Sequence, residues 1–157
     1  DNHIAAFTYA KNNNLNITAH AGEAKGSESI WETINKLGAK RIGHGVRCLE
    51  DKKLVKFLSE NNYHLEICLT SNIKTNTVNS FIDHPINEIY DSSISLSINT
   101  DGRAISNTSL SNEYAIAYNE LNWSMEKIIQ SNLNAIEHSF SSVETKEKLR
   151  KLIKSIS

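Results

Sequence analysis

The sequence of 157 residues predicts an α/β fold: half of a TIM-type (β/α)8 barrel, with about four parallel strands alternating with helices, followed by terminal helices. Three observations predict it. Four short apolar runs alternate with segments of helical periodicity, the pattern of a parallel sheet covered by helices. Each run ends in polar residues capable of chemistry, and in such barrels the reactive groups sit at the C-terminal ends of the strands. No glycine-rich phosphate loop follows the first run, so the competing architecture, a small doubly wound nucleotide-binding sheet, lacks its signature. A complete barrel takes roughly 250 residues and eight strands; this chain of 157 residues supplies four of the strands.

The elements follow in order. Ile4 to Lys11 reads as a helix feeding the first strand, Leu15–Ala19. Ser29-Ile30-Trp31-Glu32 has the form of a capping box, with Ser29 as cap and Glu32 reaching back. The helix it opens has Ile30, Ile34 and Leu37 on one face and stops at Gly38. Arg41–Gly43 is the second strand, and a helix from about Glu50 to Glu60 follows it, with Leu54, Phe57 and Leu58 as its stripe. His64–Leu69 is the third strand. A short helix starts near Pro85, with His84 as its cap, and Ile94–Ile98 is the fourth strand. Three helices close the chain, over about Ser109–Leu121, Ser124–Ile136 and Glu144–Ile156.

Composition narrows the function. With 17 basic and 18 acidic residues the net charge is −1, so no polyanion-binding surface is indicated and no nucleic-acid partner is expected. No apolar run reaches the roughly 20 residues that span a bilayer, and no signal peptide opens the chain. Cys48 and Cys68 form no C-x-x-C pair, which argues against a cysteine zinc site and a redox motif and fits a reducing, cytoplasmic compartment. The chain does not begin with Met and is expected to be part of something longer.

The polar strand ends carry the candidate chemistry. His20 can ligate a divalent metal, and Glu23 three residues on can ligate or donate a proton. His44 lies between two glycines, which leaves its ring uncrowded as a base. Asp101 can complete a histidine-rich metal site. Each reading has an ordinary alternative: solvated loop residues for His20 and Glu23, a turn for His44, a cap for Asp101. Glu66 lies within the third strand and must be paired or face a polar space, to which Thr70-Ser71-Asn72 can supply hydrogen bonds. Two histidines, a glutamate and an aspartate at one edge of a parallel sheet together provide what metal-assisted hydrolysis needs.

The motifs resemble those of the adenosine deaminase family. They are His20-Ala21-Gly22-Glu23-Ala24, Ser29-Ile30-Trp31-Glu32, Arg41-Ile42-Gly43-His44-Gly45-Val46, Leu65 to Asn72, His84-Pro85, Ser97 to Asp101 and Glu137-His138-Ser139-Phe140, in order along nearly the whole chain. The resemblance implies the C-terminal half of a zinc-dependent (β/α)8 barrel, residues 1–157 forming one region of it. It also implies conversion of adenosine to inosine and ammonia, in purine salvage. On this likeness His20 and Asp101 are Zn2+ ligands, Glu23 protonates the purine at N1, His44 assists the attacking water and Gly22 contacts the substrate, a small purine nucleoside.

Three departures from the family pattern stand out. Leu69 replaces a usual proline, which implies a small change of loop shape. Gly102, followed by Arg103, replaces a second aspartate that contacts the purine. No His-x-His pair is present, so two further zinc ligands are expected from another half of the barrel. The isolated chain is therefore expected to be inactive, to bind zinc weakly and to self-associate through its open sheet edges. The alternatives are a sister deaminase acting on adenine or a modified adenosine, and a non-catalytic binding remnant of the same fold.

Overall fold

A computed structural model describes residues 3–155. In chain order the elements are α1 (Ile4–Asn12), β1 (Thr18–Ala21), α2 (Ser27–Glu32), β2 (Arg41–His44), α3 (Lys52–Glu60), β3 (His64–Ile67), α4 (Leu69–Lys74), α5 (Ile86–Asp91), β4 (Ser95–Ile98), α6 (Arg103–Ser106), α7 (Leu110–Glu120), α8 (Met125–His138) and α9 (Val143–Lys154). A π-type turn, Thr33–Leu37, extends α2, and a 3-10 turn, Val46–Glu50, precedes α3. The four strands form one sheet in the order β1-β2-β3-β4, and the expected alternation of parallel strands with helices is what the chain adopts. Two compact units divide the chain. The first runs to Ile67 and takes in Pro85–Ser95; the second takes Cys68–His84 and continues from Leu96.

In the first unit, α1 ends in a left-handed residue, Asn14 at φ 54°. The N–H of Leu15 then donates to Ala10 O at 2.9 Å and that of Asn14 to Lys11 O at 3.1 Å. This closing turn satisfies the last carbonyls of the helix. It also consumes the Leu15 donor, which is why β1 begins at Thr18, three residues after the position read from apolarity. Helix α2 starts at Ser27 rather than Ser29. The capping box does not form: Ser29 Oγ donates to Gly26 O at 2.7 Å, and Glu32 pairs with Lys36 at 2.9 Å. Gly38 ends the extended helix at φ 73°, as its position predicts. Asp51 caps α3 by accepting from Lys53 N at 2.8 Å, and Trp31 Nε1 donates to its other oxygen at 2.8 Å, tying α2 to α3.

The parallel register sets Thr18, Ala19, His20 and Ala21 of β1 opposite Arg41, Ile42, Gly43 and His44 of β2. Gly43 in turn faces Glu66 of β3. Side chains alternate across a sheet with period two. Ile42, Leu65 and Ile67 therefore point to one face, where they are fully buried together with Ile30, Leu54, Leu58, Ile86 and Ile89. The other face of these three strands is polar: Thr18, His20, Arg41, Gly43, His64 and Glu66. Arg41 pairs with Glu66, whose other oxygen accepts from Thr18 Oγ1 at 3.0 Å. His64 Nδ1 and Ser95 Oγ share a hydrogen bond at 2.9 Å.

In the second unit, Leu69, Leu96, Ala117 and Trp123 are buried. Ser109, Ser124 and Ser142 cap α7, α8 and α9 by accepting from Asn112 N, Lys127 N and Thr145 N. The expected end of the last helix, Ile156, lies outside the described residues. Helices α4 and α6 have six and four residues, too few to show periodicity, and the sequence assigns neither; Leu69, expected at the end of the third strand, is the first residue of α4, since β3 ends at Ile67. Both cysteines are buried and outside any disulfide, and burial pushes the Cys48 thiol up to about 12. No described helix is long and apolar enough to cross a membrane.

His84 is not a helix cap. Pro85 occupies that position without a side-chain contact, and His84 is buried with its Nε2 donating to Asn72 Oδ1 at 3.2 Å. Burial disfavours the imidazolium and pulls its pKa from 6.5 down to about 4. The unfolded chain takes up a proton that the folded chain refuses, so this contribution is complete above pH 6.5 and is lost as pH falls towards 4. One pKa unit corresponds to about 1.4 kcal/mol, which makes the contribution roughly 3 kcal/mol. Denaturant titrations from pH 7 to 4 are expected to show that wild type loses about this much more stability than His84→Gln. Parallel curves would contradict it.

Candidate functional site

The first unit brings three of the candidate residues together. His20 is the third residue of β1, and its ring lies over Gly43. A Cβ at position 43 would stand 3.1 Å from the His20 Cγ and Cδ2. His44 ends β2 with a left-handed backbone, φ 64°, and only 1% of its surface exposed. A non-glycine residue in this region costs roughly 1–3 kcal/mol and persists only where its surroundings fix it. The next residue supplies that fixing, since Gly45 N donates to Ala21 O at 2.9 Å. The rings of His20 and His44 have centroids 5.1 Å apart at 51°. His44 Nε2 stands 3.5 Å from Glu23 Oε2, so a carboxyl group and an imidazole face each other and can share a proton.

Gly22 forms the turn between His20 and Glu23. Its N–H donates to Ser29 Oγ at 2.9 Å, and a Cβ there would meet Ile30 Cδ1 at 2.5 Å. An open cleft of about 250 Å³ is lined by His20, Gly22, Glu23, Lys25 and Ser29. That is below the roughly 300–1,000 Å³ of small-molecule sites.

The second unit holds Asp101. It follows β4 with a left-handed backbone, φ 54°, and Ser71 Oγ donates to its Oδ2 at 2.8 Å. A ligating carboxylate is commonly oriented by such a bond. The residues after β3 are engaged within this unit: Thr70 with Glu113, Ser71 with Asp101, Asn72 with His84. Leu69 is the first residue of α4, a position where proline is also at home. Gly102 has φ −71°, and a Cβ on it would find nothing nearer than 3.5 Å. Glycine is not required there by the backbone.

Sequence reading identified His20, Glu23, His44 and Asp101 but not the residues that hold them. Gly43 is legible in hindsight as the near glycine of Gly43-His44-Gly45. Ser29 was read as a cap and serves as the acceptor for Gly22. Ser71 was assigned to the surroundings of Glu66. Nothing in the local pattern marks Glu113.

With this geometry in hand, comparison with known proteins gives the family. The adenosine deaminase family matches residues 1–156. An adenosine deaminase of Photorhabdus laumondii is 45% identical over 144 residues, covering 92% of this chain and 43% of that protein. One from Escherichia coli is 42% identical over 150 residues, covering 96% of this chain and 45% of that protein. Among solved structures, adenine deaminase from Arthrobacter aurescens superimposes with a TM-score of 0.93 at 27% identity, covering 97% of this chain and 46% of that one. An Arabidopsis N6-mAMP deaminase gives a TM-score of 0.84 at 34% identity, covering 97% and 45%. The chain belongs to the adenosine deaminase family. It spans less than half the length of these relatives, and its fold is the matching half of a (β/α)8 barrel.

The donors suit a zinc ion. Imidazole and carboxylate are among its preferred ligands, and the His20 ring nitrogens carry no hydrogen bond among the described residues. Two glycine substitutions separate space from backbone freedom. Gly43→Ala is expected to keep the fold but push the His20 ring off β2. The expected outcome is a roughly tenfold loss of zinc affinity by chelator competition, within the range for disturbed ligand support. Gly102→Asp is expected to change stability by less than about 0.5 kcal/mol in a denaturant titration.

Proposed function

We propose that this chain carries the C-terminal half of the active site of a zinc-dependent enzyme that hydrolyses adenosine to inosine and ammonia. The observation that carries this reading is the group of His20, Glu23 and His44 at the C-terminal ends of two adjacent strands, with His44 held in a left-handed backbone. Ordinary loop residues need no such arrangement. The family membership supports the same reaction class.

His20 and Asp101 would hold the zinc, contributing an imidazole and a carboxylate. When bound, the zinc supplies a Lewis acid that makes water nucleophilic at neutral pH. His44 accepts the proton of the attacking water, and the new bond forms between its oxygen and C6 of the purine. Glu23, protonated when substrate is bound, gives its proton to N1 and so neutralises the charge that attack places on the ring. The bond from C6 to the exocyclic nitrogen then breaks, and ammonia leaves with a proton returned through the same two groups. The contact between Glu23 and His44 provides for that exchange. Gly22, which lines the cleft, would meet the flat ring through its backbone.

A second reading has its own support. The structural neighbours include an adenine deaminase and an N6-mAMP deaminase, and Gly102 stands where the family commonly carries an aspartate on the purine. A sister activity on adenine or a modified adenosine uses the same four residues. The retained set of four weighs against a non-catalytic remnant.

The full-length gene product should be assayed on adenosine, adenine and N6-methyl-AMP, following the ultraviolet change on deamination. Adenosine is expected to turn over fastest. Glu23→Gln is expected to lower kcat by about 10²–10⁴-fold, the usual contribution of a general acid, with little change in KM. His20→Ala is expected to abolish both turnover and zinc retention. A faster rate on either other purine favours the second reading, and turnover surviving His20→Ala removes both.

A further inference from the structure

We propose that Glu113 is a positioning residue for Asp101, acting through Thr70 and Ser71. The proposal rests on the reading of Asp101 as a metal ligand. Glu113 lies in the first turn of α7 and has no exposed surface. Among the described residues its hydrogen-bond donors are neutral: Thr70 N–H donates to Oε2 at 3.1 Å, Thr108 Oγ1 to Oε1 at 2.6 Å, and Thr70 Oγ1 to Oε1. Burying a carboxylate with no cation beside it is costly, and an apolar side chain would fill the same volume at lower cost. What the carboxylate adds is direction, since one planar group fixes three donors from two segments.

Both segments lead to Asp101. Thr70 precedes Ser71, whose buried hydroxyl donates to Asp101 Oδ2 at 2.8 Å. Helix α4, which carries both, is six residues long and has no side-chain cap of its own. Thr108 follows α6, which starts two residues after Asp101. Lys74 Nζ donates to Ser106 O at 2.7 Å and ties α4 to the end of α6 a second time. Helix α7, with 11 residues and a capped N-terminus, is the firm member of the group. The left-handed backbone of Asp101 needs a restraint from outside its own loop, and Glu113 anchors one in α7.

The test reads the Ser71 hydroxyl proton by NMR on the full-length gene product without metal. A buried hydroxyl donated to a carboxylate exchanges slowly with water. Glu113→Gln preserves volume and the Oε1 acceptor but turns an NH2 group towards Thr70 N–H. It is expected to speed exchange of the Ser71 hydroxyl at least tenfold while the amides of Ile128–Ile136 in α8 keep their protection. Thr70→Val, a milder variant should the first not fold, is expected to act in the same direction. In the full-length gene product, Glu113→Gln is expected to weaken zinc about tenfold, in the range of supporting residues. The double variant with Ser71→Ala is expected to bind no more weakly than Ser71→Ala alone. Unchanged Ser71 exchange in Glu113→Gln, or multiplicative losses in the double variant, would overturn the proposal. Zinc affinity unaffected by Asp101→Ala would instead remove the reading of Asp101, and the hydroxyl exchange would still decide whether Glu113 positions it.

Discussion

The register that sets His20 opposite Gly43 is the constraint on which the site depends. A parallel ladder places the ends of successive strands at one edge, and the absent side chain at 43 gives the His20 ring a floor. The same register puts Ala21 beside His44, so the Gly45 N–H can bond to the Ala21 carbonyl and hold the turn that follows. A slip of one residue would exchange the two faces of β2. It would send Ile42 into the polar face and bury Arg41 among the leucines.

Local strain marks the same places. His44 and Asp101 both have left-handed backbones, the first as the last residue of β2 and the second after β4. Such conformations are costly for residues with a Cβ and persist where packing and hydrogen bonds determine them. At His44 the neighbouring strand does this. At Asp101 the task falls to Ser71 and, through Thr70, to a buried glutamate. The carboxylate of Glu113 is poorly explained as a source of stability and well explained as a device for orientation.

The polar face of the sheet shows how a barrel half combines a core with a site. In most barrels the inward layers are bulky and branched. Here the face opposite the Ile42–Leu65 core carries Thr18, Arg41, Glu66 and His64, and the Arg41–Glu66 pair answers the one acidic charge within the strands. In the first unit, α2, α3 and α5 contribute Ile30, Leu54, Leu58, Ile86 and Ile89 to the buried core. His20 shares the polar face, whereas His44, two residues after Ile42, falls on the buried side of the alternation with a left-handed backbone.

The sequence by itself determined the alternation of elements, the C-terminal strand positions of His20, His44 and Asp101, and the stop at Gly38. These depend on properties that act over a few residues: apolar runs, helical spacing and the freedom of one glycine. Only the tertiary structure decided that β1 starts at Thr18, because the Leu15 donor is spent on α1. It decided that Ser29 supports Gly22 instead of capping a helix, and that His84 is buried against Asn72. It also decided that Thr70, Ser71 and Glu113 form one chain of contacts. The physical reason is distance along the chain. Thr70 and Glu113 are 43 residues apart, and no local pattern records which buried acceptor a distant hydroxyl will find once the strands and helices have packed.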